Sequence, residues 1–147
     1  MLFQSIEEVE DILKRWQSIL KLSDWDISIY EVQKPWRKTG DIKIDSDDRQ
    51  AILMLNNYDP KSDDLEALIV HELMHLKLWG LDQTIEQLID IVFGNNEDDP
   101  KREYAMTKFM EVLEPTVEDL TKSLLTLSGK NIRSPKRIQH LVDEEIS

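Results

Sequence analysis

The stretch from Asp63 to about Trp79 does most to restrict how this chain can fold. Its apolar residues Leu65, Leu68, Ile69, Val70, Leu73, Met74 and Leu76 recur at helical spacing and cover much of the circumference of a helix. A helix with so little water-compatible surface is expected at the centre of a domain. Asp63, with Glu66 three residues on, suits its start, and Gly80 suits its C-terminal stop.

In the middle of this apolar helix stand His71, Glu72 and His75, in the run His71-Glu72-Leu73-Met74-His75. Three polar side chains are a costly way to fill a core unless something pairs with them. Histidines at i and i+4 project from one helix face about a turn apart, so both imidazoles can reach one ion. Zinc accepts neutral imidazole nitrogens and keeps an open position when the protein supplies three ligands. Glu72 leans to the side of the pair, where its carboxylate can take a proton from water held on the ion, the role of a general base. The chain has no cysteine, so disulfides and thiolate ligands are excluded and the metal must be held by His, Asp or Glu.

A third histidine ten positions after the first would fall on Leu81, which binds no metal. A carboxylate from a later helix, giving a His₂Glu set, is the better expectation. Glu103 is preferred, on the margin of the apolar face formed by Ala105, Met106, Phe109, Met110 and Leu113. Glu86, Glu114 and Asp82 are the alternatives. Glu114 shares the margin but sits beside Pro115, where a helix over 100–113 is expected to end.

The rest of the pattern indicates an α+β chain in one domain. Ile6, Val9, Ile12, Leu13, Trp16, Ile19 and Leu20 form a helical stripe over 5–21, with Ser5 and Glu8 at capping-box spacing. Alternation at Trp25, Ile27 and Ile29, then at Ile42 and Ile44, and the apolar run Ala51–Leu55 predict three strands, the last two a hairpin. Between the first two, Trp36, Arg37 and Lys38 are read as an exposed basic turn with a packed tryptophan, in preference to a place bordering the cleft. After the central helix come helices over about 84–93, 100–113 and 115–127. The expected domain spans 1–128, followed by a loosely ordered C-terminal tail over 129–147.

The 147 residues carry a formal net charge of −12. Such a field repels phosphate backbones and anionic lipids, so neither nucleic acid nor a membrane is an expected partner. No apolar run is long enough to span a bilayer, and the early acidic residues do not suit a secretory signal, so a cytoplasmic location is expected.

Several segments together resemble a known family. They are Trp25-Asp26-Ile27, Gly40–Asp45, Ala51–Asn56, the run His71–Leu76, and Glu103-Tyr104-Ala105 continuing to Phe109, Leu113 and Pro115. The chain resembles small HExxH zinc metallopeptidases of the minimal gluzincin kind, often phage- or prophage-encoded, and more distantly the ImmA/IrrE-type peptidases. The resemblance implies a zincin-like domain that hydrolyses peptide bonds in a peptide or protein substrate. It implies Zn2+ held by His71, His75 and Glu103, with Glu72 as the catalytic base. It also implies that Ala51–Asn56 is the strand lining the cleft. Two other readings are a catalytically silent zinc-binding regulatory module and a metal-dependent endoribonuclease, the latter opposed by the net charge and by the lack of a third histidine near the motif.

Overall fold

The computed structural model describes residues 1–129 and 139–146. Helix α1 (Ile6–Ile19) is followed by strands β1 (Asp26–Val32), β2 (Gly40–Asp45) and β3 (Gln50–Asn56). Helices α2 (Leu65–Lys77), α3 (Trp79–Phe93), α4 (Pro100–Leu127) and α5 (Gln139–Ile146) complete the chain. The class is mixed α+β, as the change from period-2 to period-3.6 patterning requires. Part of the expected tail, 130–138 and Ser147, lies outside the described residues; 139–146 is helical. No helix among the described residues is long and apolar enough to cross a membrane.

The sheet order is β1-β3-β2. β2 and β3 form the expected antiparallel hairpin, with Ile42 opposite Leu53. Its turn is held by the Asp45 carboxylate, which accepts from the backbone N–H groups of Asp47 and Asp48. β1 lies parallel to β3 on the other side. β3 is therefore central and both of its edges are paired. It cannot pair with a further extended chain, which corrects the assignment of Ala51–Asn56 as a cleft-lining strand. β2 has one edge that no strand among the described residues pairs with, and it packs beside α2.

α2 is central, as its composition demands: Leu65, Ile69, Val70, Leu73, Met74 and Leu76 are all buried. It meets Trp16 and Val9 of α1, and Leu53 and Leu55 of β3, in one core. Glu66 of α2 accepts from the indole N–H of buried Trp16 at 3.2 Å and pairs with Arg15, tying α1 to α2. Where β2 begins, a Cβ on Gly40 would lie 2.7 Å from Leu68 Cδ1, so the missing side chain lets strand and helix approach closely.

Three boundaries differ from expectation. The N-cap of α2 is Asp64, whose carboxylate accepts from the Ala67 N–H, rather than Asp63. Gly80 does not stop the helix. The break falls at Leu78, and α3 runs straight through Gly80. The glycines that adopt positive φ are Gly94 and Gly129, each just after a helix end.

The third difference matters most. The two helices expected on either side of Pro115 are one helix of 28 residues, with proline inside it. Proline removes one N–H and crowds the carbonyl four residues back, costing about 3 kcal/mol in a helix interior. Packing overrides that cost. Leu113, Val117, Thr121 and Leu125 form a buried stripe at four-residue spacing that crosses Pro115 without interruption, while Pro115 itself faces solvent. Pro115→Ala is accordingly expected to raise unfolding stability by about 1–3 kcal/mol, read as a shift in the urea midpoint. A loss of stability on that change would mean that the proline marks a true break.

Candidate metal centre

Helices α2 and α4 run antiparallel with two pairs of functional side chains opposed. His71 and His75 are one turn apart on α2, and Glu114 and Glu118 are one turn apart on α4. The Nε2 atoms of His71 and His75 lie 3.7 Å and 3.3 Å from the Glu114 carboxylate. The Nδ1 of His71 lies 2.9 Å from Glu118 Oε2. With His71 Nδ1–H donating to Glu118, the Nε2 lone pair is directed toward Glu114 and His75. Carboxylates that hold the far nitrogen of a histidine in this way fix its tautomer and orientation at metal sites.

One ligand atom each from His71, His75 and Glu114 all lie within 4.8 Å of one another, the one such group among the described residues. Burial outweighs the nearby Glu114 and Asp82 carboxylates and lowers the His75 pKa, favouring the neutral imidazole that can act as a ligand.

Glu72 stands beside this group, 7% exposed, on the wall of a cavity of about 330 Å³. Among the described residues no hydrogen bond or ion pair to its carboxylate is seen, and the side chain borders the cavity. Burial first, then the charges of Asp41 and Glu114, push its pKa up to about 8. A cation between the histidines and Glu114 would supply the charge this carboxylate lacks. The donor set, two imidazoles and one carboxylate with a second carboxylate poised beside them, fits zinc in its three-protein-ligand form.

The carboxylate that the structure brings to the two histidines is Glu114, not the Glu103 preferred on sequence grounds. Glu103 is exposed in the first turn of α4 and is not part of the group. Glu114 is eleven residues further on, close to three full turns, so both occupy the same angular position. They differ by about 16 Å along the axis. Reading Pro115 as a helix end removed Glu114 from the most favourable place. Asp82 lines the cavity near His75 without joining the group. Glu86 is on α3, its pKa raised by burial and by Asp82, and is likewise outside the group. His140 falls on α5 and is not a member either.

Glu118 went unnoticed in the sequence, though its signal was there: Glu114 and Glu118 repeat the four-residue spacing of His71 and His75. The sequence favoured an exposed turn for Lys38 over its alternative, a place bordering the cleft. Arg37 is exposed, but Lys38 is half-buried and lines the cavity with Glu72. Comparison with protein-family models, curated proteins and solved structures finds no match to this chain.

The Glu72 environment gives a signed pH prediction for the metal-free protein. A carboxyl whose folded pKa is raised contributes stability below its unfolded pKa, near 4.5, and that contribution is lost as pH rises toward about 8. Glu72→Gln should therefore match wild type below about pH 4.5 and gain stability progressively up to about pH 8, by roughly 3–5 kcal/mol at the plateau. Chemical denaturation across that range, in chelator, measures it. A constant difference at all pH values would contradict the assignment.

Proposed function

We propose that this chain is a zinc-dependent metallopeptidase with a minimal zincin-like domain, in which His71, His75 and Glu114 hold the metal and Glu72 is the general base. The observation that carries this reading is the convergence of three metal-capable side chains beside a largely buried carboxylate on the wall of a cavity. An HExxH pair completed by glutamate is the ligand chemistry of zinc hydrolases. The resemblance to minimal gluzincins and, more distantly, ImmA/IrrE-type peptidases supports the same class, with the glutamate ligand moved from Glu103 to Glu114. A cysteine-free chain with no need of an oxidising compartment suits a cytoplasmic enzyme acting on a peptide or protein.

Bound zinc would polarise a carbonyl and bring the pKa of a coordinated water toward about 7. The chain's own residues divide the remaining work. Glu118 holds His71 in the tautomer that presents Nε2. Glu72 accepts the proton of the attacking water and delivers it to the departing amine nitrogen, a transfer favoured by its burial and its cavity-facing carboxylate. The unpaired edge of β2 offers backbone groups to an extended substrate, and its residues Gly40, Asp41, Ile42 and Ile44 line the cavity.

Purified protein is expected to carry about one zinc per chain by elemental analysis. Glu114→Ala should weaken zinc binding by about 100-fold or more, and Glu118→Ala by about 10–100-fold. Glu103→Ala, Glu86→Ala and Asp82→Ala should leave it within a few-fold of wild type. Glu72→Gln should keep the metal and lose cleavage of an unstructured protein substrate followed by mass spectrometry. Folded protein that takes up no zinc would overturn the proposal.

A further inference from the structure

Two cavities meet at the centre. One, of about 330 Å³, extends toward Trp79 and Asp82, and the other, of about 400 Å³, toward Thr39, Ser62 and Ala67. His71, Glu72, Gly40 and Lys38 line both. Lys38 is the one Lys or Arg among the described residues of either wall. It lies just before β2, whereas Glu72 is on α2, so the base and this cation reach the cavities from different elements. They are near enough for the Lys38 charge to favour the Glu72 carboxylate.

Lys38 is also held in place. Asn56, completely buried at the end of β3, donates its side-chain N–H to the Lys38 carbonyl at 2.8 Å. Its carbonyl oxygen accepts from the Tyr58 and Asp59 N–H groups, both at 3.0 Å. The backbone N–H of Asn56 donates to Thr39 O at 2.8 Å. This fixes the Lys38–Thr39 peptide and the Thr39–Gly40 peptide that follows it. The Lys38 ammonium lies 3.1 Å from Asp41 Oδ2, and Lys43 approaches the same oxygen at 3.0 Å. With Lys43 in place, Asp41 stays paired when Lys38 turns to another acceptor.

Resting on the peptidase reading above, we propose that Lys38 is a catalytic residue that donates a hydrogen bond to the substrate carbonyl oxygen as it becomes an oxyanion. In this step the water oxygen bonds to the carbonyl carbon and Glu72 takes the water proton. The C–N bond then breaks, and Glu72 passes that proton to the leaving nitrogen. Lys38 transfers no proton in either step. Its hydrogen bond strengthens as negative charge gathers on the oxygen, so it favours the tetrahedral state over the planar one.

The test uses zinc-loaded wild type, Lys38→Met and Lys38→Arg, with two probes followed by calorimetry. One is an N-phosphoryl dipeptide amide, a tetrahedral anion, and the other is the planar hydroxamate of the same dipeptide amide. Lys38→Met should weaken the phosphoryl probe by about 10–100-fold and the hydroxamate by less than about 3-fold. Zinc affinity should not change, and Lys38→Arg should recover most of the loss. Equal weakening of both probes, no weakening, or a parallel fall in zinc affinity would overturn the role, as would failure of wild type to bind the phosphoryl probe at all. Sensitivity confined to the free-acid form of the probe would make Lys38 a reader of substrate carboxylates and would equally refute it. Wild type that binds no zinc would instead remove the peptidase reading itself.

Discussion

Two histidines on α2 face two glutamates on α4, each pair separated by one helical turn, and the helices run in opposite directions. That opposition sets His71 against Glu118 and both imidazoles against Glu114. Everything else in the fold serves to hold it. The apolar surface of α2 is spent on α1, the sheet and α4, leaving the narrow strip that carries His71, Glu72 and His75 open to a cavity. The buried stripe of α4 carries that helix past Pro115, so Glu114 and Glu118 share one continuous, rigid support. Precise placement of ligands depends on such supports more than on loops.

The site has a cost that identifies it. Glu72 is largely buried on the cavity wall with the like charges of Asp41 and Glu114 nearby, an arrangement that core packing alone has no reason to keep. Perturbed carboxyls in clefts concentrate where chemistry is done. Under the proposed reading, a dication held by His71, His75 and Glu114 would offset this penalty and leave the Glu72 carboxylate free to accept a proton. Lys38 and Asp41 add an ion pair, 3.1 Å apart, to the lining of the same cavity.

Much of this was legible in the chain, and the errors share one physical origin. Strand alternation at Ile42 and Ile44 and the apolar run from Ala51 located the hairpin, because local period and a short polar turn suffice for adjacent antiparallel strands. The parallel pairing of β1 with β3 depends on long-range packing and left no local signal, so the central strand was taken for the cleft strand. Gly80 and Pro115 were read as helix ends because both residues disfavour helix interiors. At Gly80 no positive φ is required, and at Pro115 a buried stripe outweighs the lost hydrogen bond. Since Glu103 and Glu114 are three turns apart on one face, periodicity could not separate them. Only the position of α2 along α4 does so.

The central claim is that one metal is held where α2 and α4 oppose their histidines and glutamates. Anomalous diffraction at the zinc edge from crystals grown with zinc tests it most directly. The expected map has one strong peak about 2.0–2.2 Å from His71 Nε2, His75 Nε2 and a Glu114 carboxylate oxygen. A peak at Glu103, or a well-ordered His71–His75–Glu114 group with no anomalous density, would contradict it.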